Sequence, residues 1–277
     1  MLPVSRRKTR VPNRGGAGRG DRREACWVLA HSQAADPAPS AREERWAVTV
    51  RPGLTAALAS GGVTSARVIS VNTGRGKDAD WAGELRRTAI GKRPAPGRVE
   101  VGRLGLGGDE QVDKPAHGGP EQALYAYARE DLDWWVEQLG RELANGMFGE
   151  NITTAGLDVT GALIGEVWEL GTARVQVTAP RIPCVVFAGW MEERHWVKRF
   201  AAARRPGAYL RVLREGEVGA GDRLEVVSRP GEQVTIAESM SAFYGDAALM
   251  RRLLRVEGRG LDWDNIAPGV LDRAAAS

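Results

Sequence analysis

The chain has 277 residues, 43% hydrophobic and 27% charged, with two cysteines, Cys26 and Cys184. That is enough chain for one large domain, or one domain with an appendage. Two cysteines exclude a disulfide framework, an all-cysteine zinc site and an iron–sulfur cluster. The net charge of +4 divides unevenly: residues 1–62 hold 11 basic and 5 acidic side chains, and the remainder is slightly acidic.

Residues 1–62 are rich in Arg, Gly, Ala and Pro and show no sustained apolar period. Such a segment buries too little apolar surface to offset its ordering entropy, so it reads as a disordered tail or as sequence upstream of a true start near Val63. As a basic arm it could instead meet nucleic acid. The near-neutral remainder makes nucleic acid an unfavoured partner, because phosphate affinity needs cations clustered on a folded face. Ser5-Arg6-Arg7 is similar to a twin-arginine export start, but further arginines follow where an apolar stretch would be needed. No stretch is long and apolar enough to span a bilayer, and the expected location is the cytoplasm.

From Val63 onward the pattern predicts short strands over 66–71, 99–104, 167–170, 173–177, 209–213 and 223–227, with turns at Asn72-Thr73-Gly74 and Gly171. Many short strands with Gly-rich turns predict a mainly β fold with a barrel or sandwich core. Leu124, Ala128, Leu132, Trp135 and Leu139 recur at helical spacing, predicting a helix from Pro120 to about Gly140. A second helix is expected over 191–203, ended by Arg205-Pro206-Gly207. Beyond Pro230-Gly231, three helices are expected, beginning near Ile236, Ala247 and Trp263. The predicted divisions are residues 1–62, 63–230 and 231–277.

Three blocks could carry chemistry. Cys184 lies in Pro180-Arg181-Ile182-Pro183-Cys184, where two prolines restrict the backbone just after a strand. A guanidinium beside it would favour its thiolate, a ligand suited to soft or high-valent metal centres. Taken alone, by residue type, it reads rather as an inert buried thiol. His117-Gly118-Gly119 precedes the predicted long helix, with amides open to an anion and an imidazole able to move a proton; a solvated helix start is the plainer reading. Phe148-Gly149-Glu150-Asn151-Ile152-Thr153-Thr154 could bind the edge of a heterocycle or satisfy its own backbone.

In their order, His117-Gly118-Gly119, Ala123-Leu124-Tyr125-Ala126-Tyr127, Trp134-Trp135, Phe148-Gly149-Glu150-Asn151, Ile164-Gly165-Glu166 and Pro180-Arg181-Ile182-Pro183-Cys184 resemble the MOSC domain, in its YiiM-like branch with a C-terminal three-helix segment. The resemblance covers roughly residues 66–275. It implies a β-barrel-like domain followed by that segment, and a molybdenum cofactor (molybdopterin) whose metal is bound by Cys184. At the level of the domain it also brings pyridoxal phosphate binding as an expectation. The cofactor's phosphate and polar pterin need a cation and amide-type partners, for which Arg181, Asn151 and Thr153 are the candidates. His117 and Lys114 would line the substrate side, with His117 as proton donor.

The implied activity is reductive N–O cleavage in N-hydroxylated compounds such as hydroxylaminopurines, in the detoxification of base analogues. No Gly-x-Gly-x-x-Gly follows a strand before a helix, so an electron-donor reductase protein is expected as partner. The competing expectation is a sulfur carrier bearing a persulfide on Cys184 for metal–sulfur cluster assembly.

Overall fold

The computed structural model describes residues 65–114 and 117–276. The basic segment 1–62, and with it the nucleic-acid expectation and Cys26, lies outside the described residues. One eight-stranded sheet organises the rest, in the order β13-β9-β10-β11-β7-β8-β1-β4. Its strands are β1 (Arg67–Thr73), β4 (Arg93–Pro94), β7 (Leu124–Ala128), β8 (Ile152–Ala155), β9 (Val167–Leu170), β10 (Ala173–Pro180), β11 (Ala208–Arg214) and β13 (Leu224–Ser228). The sheet curls back on itself. Val68 N–H donates to Asp222 O at 2.9 Å, and Leu224 N–H donates to Ala66 O at 2.9 Å. The first long strand thus meets the start of the last through a short seam, and the mainly β, barrel-like expectation is met without a full closing ladder.

Two smaller pieces flank this sheet: β5 (Val99–Gly102), β6 (Gly105–Leu106) and β12 (Gly216–Val218) form one, and β2 (Lys77–Asp78) with β3 (Arg87–Thr88) the other. The hairpin of β9 and β10 turns at Gly171, whose φ of 60° suits glycine.

The helix expected over 120–140 is corrected. After a 3-10 turn at Pro120–Gln122, residues Leu124–Ala128 form a strand, and helix α1 spans only Arg129–Leu139. All five strand residues are buried, because β7 lies between antiparallel β11 and parallel β8. Leu124, Ala126 and Ala128 face one interior, while Tyr125 and Tyr127 face another. That period-two alternation competed with the helical spacing and prevailed. Gly140 does end α1, in the left-handed conformation with φ of 65°.

A second correction concerns 191–203. Helix α2 (Val185–Met191) begins directly after Cys184, and α3 (Trp196–Ala203) follows a break in which Glu192 and His195 both have φ of 56°. Asn72 and Thr73, expected in a turn, extend β1 instead; Asn72 is buried and its side-chain amide donates to Thr153 Oγ1 at 3.0 Å.

The C-terminal segment forms three helices as expected: α4 (Ile236–Phe243), α5 (Ala247–Leu253) and α6 (Asp262–Ala276). Thr235 and Glu238 make a reciprocal capping box at the start of α4. The segment's apolar side chains, among them Ile236, Met250, Leu253 and Trp263, join the interior of the sheet. Trp263 Nε1 donates to Thr178 O at 3.0 Å, anchoring α6 to β10. Among the described residues no helix is long and apolar enough to cross a membrane.

Candidate active site

β10 ends at Pro180, and residues 181–183 carry the chain to Cys184, which stands as the N-cap of α2 in extended conformation. The cysteine is buried, with 8% of its surface exposed. Burial alone would oppose its thiolate. The charge and hydrogen bond of His117, the charge of Arg181 and the amide of Phe187 outweigh it and bring the thiol down to about 6. At neutral pH this is mainly a thiolate.

Arg181 is buried against aromatic faces, its guanidinium carbon 4.2 Å from the ring centre of Phe187 and 5.1 Å from that of Tyr125. Its Nη1 donates to Phe148 O at 3.0 Å, while its buried Nε has no partner. The Phe148-Gly149-Glu150-Asn151 block builds the seat for this arginine. Glu150, fully buried, accepts from Gly146 N–H at 2.6 Å, Phe148 N–H at 3.0 Å and Thr153 Oγ1 at 3.0 Å. Burial raises the Glu150 carboxyl above its usual range, against the pull of those donors. Gly149 has φ of 75°, and a Cβ there would come within 3.0 Å of Ile90.

Cys184, His117, Arg181 and Asn151 all line one cavity of about 380 Å³, so these four sequence candidates come together. Its inner wall is built from buried groups, and the exposed apolar side chains of Leu85 and Val185 mark its mouth. Asn151 is committed to the protein. Its amide nitrogen donates to Asp109 at 2.9 Å and to Asn72 O at 3.3 Å, and its oxygen accepts from Tyr125 N–H at 3.2 Å.

Thr153 and Lys114 do not line the cavity. Thr153 is buried in the Asn72–Glu150 network, and Lys114 is exposed. The amide of Gly119, expected to be open to an anion, donates instead to Gln111 Oε1 at 3.2 Å. Sequence reasoning missed Lys92 and Asp109, both on the cavity wall. Lys92 Nζ lies 2.5 Å from each Asp109 oxygen. Burial pulls the lysine below its usual range, Asp109 works against that, and the charge of Arg181 adds to it. Gly107-Gly108 before Asp109 was a turn signal that could have drawn attention to it; Lys92 carries no local signal.

Fold and site together define a mainly β protein with a buried free cysteine on the wall of a cavity, and the family model for the MOSC domain matches residues 113–225. The chain belongs to the MOSC-domain family, in its YiiM-like branch. It is 37% identical to the uncharacterized protein YflK of Bacillus subtilis over 68% of this chain and 86% of that one. The crystal structure of YiiM from Geobacillus stearothermophilus superposes with a TM-score of 0.63 at 30% identity, covering 74% of this chain and 99% of that one. A protein of Gibberella moniliformis named "Reductase" is 30% identical over 59% of this chain, which spans only 29% of that longer protein.

Proposed function

We propose that the cavity binds a molybdenum–pterin cofactor with Cys184 as the metal's protein ligand, and that the protein reduces N-hydroxylated compounds in the cytoplasm with electrons from a separate donor protein. The observation that carries this reading is the placement of Cys184 on the cavity wall, hydrogen-bonded by His117 and beside the buried Arg181. The residues present fit the group. A soft thiolate suits the metal, and the unpaired Nε of buried Arg181 is a donor left over for an anionic or carbonyl oxygen. The relative named "Reductase" supports an oxidoreductase.

When bound, the cofactor supplies a centre that exchanges two electrons and accepts oxygen. The substrate takes up two electrons and two protons, its N–O bond breaks, and the amine and one water leave. Cys184 holds the metal side of the cavity. His117, hydrogen-bonded to Cys184, is placed to pass a proton to the leaving nitrogen or oxygen. Arg181 would orient the anionic part of the cofactor through its unpaired Nε.

The test combines metal analysis with hydroxylaminopurine reduction, on protein made in a host that synthesises the cofactor. About one molybdenum per chain, with activity in the presence of a donor reductase and loss of both on Cys184→Ser, is the expected result. Metal-free protein bearing a persulfide on Cys184 overturns the reading in favour of sulfur carriage.

A further inference from the structure

His117 reaches Cys184 from a loop that runs directly into the 3-10 turn Pro120–Gln122. Inside the loop the bonds are local: His117 N–H donates to Asp113 O at 2.7 Å, and Gly119 N–H to Gln111 Oε1 at 3.2 Å. The turn itself is held from the C-terminal segment. Glu121 Oε2 accepts from Leu261 N–H, immediately before α6, at 3.1 Å and from Arg211 Nη1 at 3.2 Å. Arg211, on β11, also donates from Nη2 to Gly258 O at 2.7 Å, so one guanidinium joins the turn to the segment. Gln122 Nε2 adds a longer bond to Asp262 Oδ2 at 3.4 Å. The Glu121 and Arg211 side chains are only 17% and 22% exposed, which spares their charge-assisted bonds much of the screening of a surface pair.

The same stretch of C-terminal chain grips the strand that leads to Cys184. Thr178 is fully buried on β10; its carbonyl accepts from Trp263 Nε1 at 3.0 Å and from Gly260 N–H at 3.3 Å. Its hydroxyl donates to Glu121 O at 2.6 Å. The chain that carries the thiol and the chain that carries the imidazole therefore meet at Thr178 and Glu121, under residues 258–263. A hydrogen bond weakens steeply with distance and angle, so the imidazole–thiol contact needs both chains held to a fraction of an ångström.

We infer that the C-terminal three-helix segment sets the contact of His117 with Cys184, with Glu121 as the positioning residue through which it acts and Arg211 as its brace. The inference takes from the functional reading above only that this pair is the working part of the site.

Cys184 reactivity tests it. Metal-free full-length protein is alkylated with iodoacetamide at pH 7, and the rate at Cys184 is read by peptide mass. Glu121→Ala is expected to slow the reaction severalfold, because the imidazole no longer supports the thiolate. Loss of the Glu121 charge by itself would act the other way, since it removes a negative neighbour. Glu121→Gln keeps an acceptor for the Leu261 amide and stays near the wild-type rate. Leu261→Pro deletes only that amide, at an exposed side chain where proline suits a helix start, and slows the reaction too; Leu261→Ala does not. Met250→Ala loosens the same segment without touching Glu121 and keeps the wild-type rate. In a His117→Gln background neither Glu121→Ala nor Leu261→Pro slows the reaction further, because both act through the imidazole. Thermal unfolding verifies that each variant is folded. A wild-type rate in folded Glu121→Ala and Leu261→Pro, or equal slowing with and without His117, overturns the inference. Coupling of Glu121 to His117 in a protein that never acquires molybdenum supports it while refuting the cofactor reading, so the two fail separately.

Discussion

Two interiors of different chemistry meet at the central strand β7. One, enclosed by the curled sheet and closed by α4, α5 and α6, is mainly aliphatic, with Val68, Val101, Leu170, Val177, Leu210 and Leu253 among its members. The other, beneath α1, α2 and α3, is mainly aromatic: Tyr127, Trp135, Phe148, Phe187, Trp196 and Phe200 pack with ring centres 4.7–6.2 Å apart. Cys184 belongs to the second. Aliphatic packing is non-directional and secures burial, whereas edge-to-face rings also fix orientation. The site needs that orientation, because Arg181 rests on ring faces and the Phe187 amide reaches the thiolate. The aliphatic interior holds the molecule together, and the aromatic one aims its charges.

The strongest way to break this division is to cut equally deep into both sides. Phe200→Ala is expected to cost about 3–5 kcal/mol and Met250→Ala about 2–5 kcal/mol, since each empties a fully buried position. Denaturant unfolding measures both losses. The discriminating readout is the pH dependence of Cys184 alkylation. Phe200 packs 5.1 Å from the Phe187 ring, so its removal should shift the alkylation midpoint, while Met250→Ala leaves it in place. Equal shifts in the two variants would show that the interiors act as one.

A smaller effect sharpens the comparison within the aromatic side. The Cys184 thiol stands at about 6 because His117 and Arg181 overcome burial. His117→Gln removes the imidazole charge and leaves the burial term, so the thiolate is disfavoured and the midpoint moves alkaline. Alkylation by iodoacetamide, which reports the thiolate fraction, should then fall at pH 7 and recover at higher pH. An unmoved midpoint would mean that Arg181 and the Phe187 amide suffice without the histidine.

Much of this arrangement was legible in the chain, and what escaped had physical causes. The β9–β10 hairpin was readable because alternating residues flank Gly171, and the three C-terminal helices because their apolar stripes are intact. Cys184, Arg181 and His117 were readable through their motif blocks. β7 was not, since a strand buried on both faces offers an apolar run that fits a helix equally well. Lys92 and Asp109 were hidden because Asp109 meets Lys92 and Asn151 only through tertiary contacts, across 17 and 42 positions of chain. Lys114 was chosen for its closeness to His117 in sequence, and nearness along a chain says little about which cavity a side chain reaches.

The smallest expected effect probes a helix that packs mainly on the aliphatic side. Thr235 Oγ1 accepts from Glu238 N–H at 3.1 Å, and Glu238 Oε2 accepts from Thr235 N–H at 2.8 Å, closing the first turn of α4. Thr235→Ala leaves the Glu238 amide without its cap and should cost about 1 kcal/mol. Ile236, Ala242 and Phe243 on α4 enter the aliphatic interior, so the loss should appear as earlier unfolding of the whole protein. Met240 of the same helix reaches the aromatic cluster, which makes α4 the most demanding place to look for leakage between the two sides. An unchanged Cys184 alkylation midpoint in Thr235→Ala would show that a strained α4 start is absorbed before it reaches the thiolate. A shifted one would make Met240 the route by which the C-terminal segment tunes the site.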